Sequence, residues 1–229
     1  MTASTAPRRT IVFLLDVDNT LLDNDHIVTD LKEILIREMG ITRQQRYWTI
    51  FESVRAELGY ADYLGTLQRY RLENPRDSSL LAISSFLLNY PFGDRLFTGV
   101  LDVIARLNTL GKSVILTDGD VVFQPLKIER SGLADAVDGR ILLYVHKEHE
   151  LDDVERRYPA DHYVLVDDKV RILTAVKASW GERVTTIFPR QGHYAFDPQV
   201  AALPRPDITI EHINDLLGVD IGRTGDRPG

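Results

Sequence analysis

The chain has 229 residues, 44% hydrophobic and 27% charged, with a formal net charge of -7 and no cysteine. This composition suits a globular protein with a proper core, and the acidic balance speaks against nucleic acid, whose phosphate backbone is met by basic surfaces. The lack of cysteine excludes disulfides, thiolate metal sites and cysteine nucleophiles, and no apolar run is long enough for a signal peptide or membrane span, so a cytoplasmic protein with no membrane partner is expected.

Met1 to Arg9 reads as a loose leader. Ile11 to Leu15 is a short apolar, β-branched run and predicts a strand buried on both faces, as in a parallel sheet. It runs straight into Asp16 and Asp18, where the carboxyl end of such a strand is expected to hold a site. Two like charges at i, i+2 repel one another, and a divalent cation removes the repulsion; a turn capped by Asp18 and Asn19 is the bland alternative. Leu21 and Leu22 continue the apolar character, and Asp23 to His26 breaks it.

From Val28 to about Tyr90 the pattern is helical. Thr29 or Asp30 is the candidate cap of a first helix carrying Leu31, Ile34, Leu35 and Met39, stopped by Gly40. A second helix carries Tyr47, Ile50, Phe51, Val54 and Leu58 at amphipathic spacing and ends at Gly59. Shorter helices are expected over Asp62 to Leu72 and Ser78 to Asn89, and Pro91 to Asp94 is a turn-rich exit.

Beyond Gly99, strand and helix alternate. Helices are expected over Val100 to Leu110 (with Leu101, Ile104, Leu107 and Leu110 on one face), Val121 to Ser131, Leu151 to Arg157, Val170 to Trp180 and His212 to Leu217. Strands are expected over Ser113 to Leu116, Ile141 to Val145, Tyr163 to Val166, Val184 to Phe188 and Ile208 to Ile210, and Gly222 to Gly229 is a polar tail. The plan is a parallel sheet covered on both faces, with a helical block inserted after the first strand and placed to act as a lid.

Polar clusters fall at four strand ends: Asp16/Asp18, Thr117/Asp118, Lys147 and Asp167/Asp168. In a parallel sheet these ends share one edge. Asp16 has the chemistry of a carboxylate nucleophile toward phosphorus, and Asp18 that of the acid and base serving the leaving oxygen and water. Thr117 offers a hydroxyl, and the amides of Asp118 and Gly119 are placed to cradle phosphate if they open the next helix, although Asp-Gly is also a common turn. Lys147 is placed to neutralise phosphoryl charge, with Lys127, inside a helix, ranked below it. Asp167 and Asp168 make an Mg²⁺ edge, with Asp168 expected to be the more direct ligand, and also suit a helix N-terminus. His146 and His149 read as solvated, His193 as part of a loop, and Asp152-Asp153 as the first turn of a helix. Arg43, Arg46, Tyr47, Trp48, Arg55 and Tyr63 are the substrate-facing candidates of the helical block.

With these residues in order, the chain resembles the haloacid dehalogenase (HAD) superfamily. Asp16-Val17-Asp18-Asn19-Thr20 matches its first motif, DxDxT; Thr117 matches the second, Lys147 the third, and Asp167-Asp168 the fourth in its paired form. The resemblance spans Ile11 to about Leu217. It implies an α/β fold, a Rossmann-like parallel-sheet core over residues 1-22 and 94-229 with an inserted all-helical C1-type cap over 23-93. It also implies Mg²⁺ held by Asp16, the backbone carbonyl of Asp18, and Asp167 and Asp168. The family's dehalogenases lack an acid at the position of Asp18, because a halide needs no proton, so its presence looks like a phosphatase or phosphomutase. The expected function is Mg²⁺-dependent hydrolysis of a small phosphorylated substrate through an aspartyl phosphate. A mutase of the β-phosphoglucomutase type and a non-catalytic interaction protein stand as alternatives. Asn19 stands where glycine is common and Asp118 where asparagine is common, and both are expected to contribute mainly backbone. The substrate's identity and the oligomeric state are not legible in the sequence.

Overall fold

The computed structural model describes residues 9–221; the leader before Arg9 and the tail from Gly222 lie outside them. Six strands form one parallel sheet in the order β3-β2-β1-β4-β5-β6. They are β1 (Ile11–Leu15), β2 (Lys112–Asp118), β3 (Ile141–Tyr144), β4 (His162–Val166), β5 (Val184–Pro189) and β6 (Ile208–Ile210). The strand order reverses at β1 and β4, the switch point outside which doubly wound sheets bind their ligands.

Alternation along β1 splits the core into two layers. Phe13 and Leu15 pack on one face with residues of α5 (Val100–Leu110) and α6 (Phe123–Arg130), and Val12 and Leu14 on the other with residues of α8 (Leu151–Arg157) and α9 (Val170–Trp180). Both faces of the strand are sealed, which is why its sequence is an uninterrupted apolar run. A short α7 (Leu133–Ala136) precedes β3.

Between β1 and α5 lie four helices: α1 (Asn24–Met39), α2 (Ile41–Leu58), α3 (Tyr63–Glu73) and α4 (Leu80–Asn89). The outgoing and returning chains meet on one stalk, with Asp23 N donating to Arg95 O at 2.8 Å and Phe97 N to Leu21 O at 3.0 Å. The fold is thus the Rossmann-like sheet with an inserted helical block.

Three local differences from the sequence reading have clear causes. The first helix begins well before Thr29, because Asp23 is its cap, its carboxylate accepting from His26 N at 3.0 Å; the polar break is the cap and first turn. On α5 the buried stripe is Val100, Val103, Ile104 and Leu107, while Leu101 is exposed, so the face is rotated by one position. The strand β2 runs on through Thr117 and Asp118, which pair with Leu143 and Tyr144 of β3. Among the described residues, no helix is long and apolar enough to cross a membrane.

Candidate active site

Register brings the polar clusters together. Leu15 of β1 is level with Ile115 of β2 and Val166 of β4. One residue further on, Asp16 and Asp167 emerge side by side at the switch point. Lys147 comes in from the turn after β3, and its ammonium is 2.5 Å from Asp16 Oδ1 and 2.6 Å from Asp167 Oδ2. It also donates to the carbonyl of Leu116 at 3.2 Å. All three side chains are almost completely buried.

Burial by itself would drive the Lys147 ammonium toward neutrality, but Asp16, Asp167 and Asp118 overcome it and hold the proton well above its ordinary range. Lys169 behaves alike: burial opposes its charge, and Asp16, Asp168 and Asp167 raise it to about 12. Desolvation pushes the Asp167 carboxyl up to about 6 against the pull of Lys147, and burial likewise holds the Asp168 carboxyl well above its ordinary range.

The three carboxylates divide their work. Asp16 Oδ2 accepts from the Thr20 hydroxyl at 3.2 Å, and that hydroxyl accepts from Asp168 N at 3.0 Å. Asp167 Oδ1 accepts from Lys169 N at 2.8 Å, closing the turn into α9. Asp168 is buried with neither carboxylate oxygen hydrogen-bonded among the described residues. Such a group is costly to leave unsatisfied. Oxygens of Asp16, Asp167 and Asp168 lie within 4.8 Å of one another. A hard, oxygen-seeking divalent cation fits this donor set, with Asp168 offering the free oxygens.

Thr117 is buried and its hydroxyl accepts from Gln124 Nε2 at 3.0 Å. The Gly119 amide donates to Tyr144 O at 3.2 Å, and α6 opens only at Phe123, whose amide donates to Asp120 Oδ1 at 2.6 Å. So Gly119 does not present a free helix-end amide. Its lack of a side chain matters differently: a Cβ there would lie 3.0 Å from the Gln124 side chain. Asp118 turns its carboxylate to Lys147 N, accepting at 2.7 Å, and so fixes the lysine's turn. Losing this bond in Asp118→Ala is expected to cost about 1–3 kcal/mol of stability, with Asp118→Asn much milder because an amide oxygen also accepts. Thermal unfolding of both variants checks this; equal losses would count against the bond.

Asp18 is partly exposed, at 29%, and its Oδ1 lies 2.6 Å from the ammonium of Lys127 on α6. Lys147, not Lys127, meets Asp16, as the sequence ranking has it, but Lys127 is also buried at the site, on the other acid of the pair. The signal was its place on the buried stripe of α6, with Phe123, Gln124 and Ile128. Asn19 contributes more than backbone. It takes up a left-handed φ of 57°, which asparagine tolerates, and its amide exchanges two hydrogen bonds with Asp25.

Above these groups opens a cleft of about 830 Å³ between the sheet edge and the helical block. Asp18, Asp118, Lys127 and Lys169 line it from the sheet side, and Trp48, Arg55 and Tyr63 from the helices. Of the other candidates, Tyr47 is core, donating to Tyr63 O at 3.0 Å, while Arg43 and Arg46 pair with Asp77 and Glu73. His193 lines the cleft from a short 3₁₀ turn, its ring 2.6 Å from Asp25. His146 and His149 are exposed, and Asp152 and Asp153 start α8.

Comparison with known proteins places this arrangement. The crystal structure of a haloacid dehalogenase-like hydrolase from Burkholderia xenovorans LB400 is 59% identical, covering 93% of this chain and 97% of that one, with a TM-score of 0.88. The chain belongs to the haloacid dehalogenase superfamily of hydrolases. Its HAD fold also matches more distant structures. The HAD-hydrolase YfnB from Bacillus subtilis, described as bound to magnesium, is 18% identical, with 92% and 98% of the chains covered and a TM-score of 0.62. The L-2-haloacid dehalogenase from Xanthobacter autotrophicus, with chloropropionic acid covalently bound, is 17% identical, with 91% and 96% covered and a TM-score of 0.58. Neither the family models nor the curated proteins compared gave a match to this HAD chain.

Proposed function

We propose that this HAD protein is a phosphomonoester hydrolase acting on a small organic phosphate, with Mg²⁺ as its cofactor. The observation that carries the reading is Asp18. A second carboxylate, two residues from Asp16 and facing the cleft, is what protonation of an alcohol leaving group requires and what a halide leaving group does not. Sequence resemblance to the superfamily points the same way, since its dehalogenases lack that acid.

Asp16 attacks phosphorus, the leaving oxygen takes its proton from Asp18, and Asp18 then draws a proton from the water that cleaves the aspartyl phosphate. Lys147 holds Asp16 in line and neutralises charge on the phosphoryl oxygens, and Thr117 stands at the neighbouring strand end. Asp16, the Asp18 carbonyl and Asp168 would hold Mg²⁺, which supplies charge stabilisation to the transferring group. Asp167 is engaged by Lys147 and the turn, so it orients that lysine and completes the carboxylate cluster around the metal less directly than Asp168. The helical block, over roughly residues 23–93, acts as a cap that closes the cleft and selects the leaving group. YfnB, described as showing interdomain movement, offers a precedent for such closure in this fold.

The deciding experiment is phosphate release from a panel of phosphorylated metabolites with and without Mg²⁺, against Asp16→Asn as the blank. Mg²⁺-dependent release absent from the blank supports the reading. Halide release from a 2-haloacid, with no phosphate release from the panel, overturns it.

The acid cluster sets a second test. Asp167 has a folded value of about 6, above the ordinary 3.8. The folded state therefore binds this proton more tightly than the unfolded one, and metal-free stability falls as pH rises between those values. A cation binding the ionised cluster offsets that loss. The Mg²⁺-induced rise in melting temperature is expected to be larger at pH 7 than at pH 5, and equal shifts at both would argue against the three-carboxylate site.

A further inference from the structure

The mechanism leaves the buried ammonium of Lys127 unused. The side chain of Lys127 is 1% exposed, yet its ammonium has only two hydrogen-bond acceptors among the described residues, Asp18 Oδ1 at 2.6 Å and Asn24 Oδ1 at 3.2 Å. A desolvated ammonium is kept only where its partners hold it, and the contact with Asp18 spans 109 positions of sequence. Around it, Phe123 lies with its ring 5.5 Å from the ammonium. The buried phenol of Tyr63 stays protonated, because burial and the charge on Asp18 both disfavour its ionisation.

The two acceptors are not equivalent. Asp18 is the acid and base of the proposed reaction, while Asn24 is the first residue of α1, where the helical block leaves the stalk. Lys127 occupies one oxygen of Asp18. The other, Oδ2, has no hydrogen-bond partner among the described residues, and Asp18 lines the cleft. The lysine thereby fixes which oxygen of the acid is offered to substrate and ties its orientation to the root of the insertion.

We propose that Lys127 is the positioning residue for Asp18, holding the acid/base carboxylate aimed at the leaving oxygen and linking that aim to the placement of the helical insertion through Asn24. The assignment rests on the phosphatase reading. Its signature is dependence on the leaving group. A nitrophenolate departs with little protonation, whereas an alkoxide needs the proton in the transition state. A lysine that only stitches α6 to the loop after β1, or one that contacts the phosphoryl group, affects both esters alike.

The experiment is single-turnover release of alcohol from p-nitrophenyl phosphate and from glycerol phosphate, in the full chain with Mg²⁺, comparing the unaltered protein with Lys127→Met. A well-placed general acid contributes about 10²–10⁴ in rate, so losing its positioning is expected to slow the glycerol ester by about tenfold to a hundredfold and the nitrophenyl ester by under about threefold. Lys127→Gln, which keeps a donor of similar length without burying a charge, is expected to fall between the two. It carries the test if the methionine variant does not fold. Equal loss on both esters, or no loss on either, overturns the assignment. Absence of turnover of both esters by the unaltered protein instead brings down the phosphatase reading beneath it.

Discussion

Asp16→Asn is expected to lower phosphomonoester turnover by about 10⁴-fold or more with the fold preserved, since removing a covalent nucleophile is among the most damaging changes an active site can suffer. The substitution keeps the shape of the side chain and one oxygen that accepts from Lys147 or Thr20, the two partners Asp16 has now. What it removes is the charge and the nucleophilicity. Lys147 retains Asp167 at 2.6 Å, so the buried ammonium is still paired and the protein is expected to melt within a few degrees of the parent. The pairing of outcomes is what matters. An inactive, folded Asp16→Asn protein that still gains stability from Mg²⁺ separates loss of the nucleophile from loss of the site. Near-parental turnover would end the covalent mechanism, whatever the substrate.

The architecture was legible because its determinants are local. A strand buried on both faces must be apolar at every position, so Ile11–Leu15 and His162–Val166 announce themselves, and so does the point where each gives way to acids. The helical block was legible by its spacing. The polar bonds that assemble the site were less so. Asp23 to His26 looks like a break, because cap residues and loop residues are the same residue types, and only the bond from His26 N shows that a helix has begun. Asp118 reads as a mainly backbone contributor, and only the fold shows its carboxylate on the amide of Lys147. Lys127 is harder still. On its own helix it is a charged residue on an apolar stripe, and its meaning comes from an acid placed beside it by the sheet topology. Residues whose partners lie nearby in sequence can be read from pattern; those whose partners arrive through the fold cannot.

Lys147→Met is expected to abolish turnover and to destabilise the metal-free protein by about 3–5 kcal/mol, the usual consequence of removing one partner from a buried ionic cluster. Asp16, Asp167 and Asp168 lie within 4.8 Å of one another, and Lys147 makes direct ion pairs with the first two. Without it, Lys169 still acts on all three acids but makes no ion pair with them. Mutual repulsion and desolvation then act together, and Asp167 and Asp168, whose carboxyls burial already pushes up, take up protons at higher pH than before. The loss of activity follows from the lost contact: without the ammonium, Asp16 is no longer held in line and the phosphoryl oxygens lose their neutralising charge. The variant therefore links two measurements. Its melting temperature should be recovered in part by Mg²⁺, which neutralises the same carboxylates, and by lowering the pH, which protonates them. Its activity should be recovered by neither, because neither the metal nor a lower pH replaces the ammonium's direct contact with Asp16. Unchanged metal-free stability in Lys147→Met would mean that the three acids are not held together by that lysine, and the charge balance argued for the site would fail.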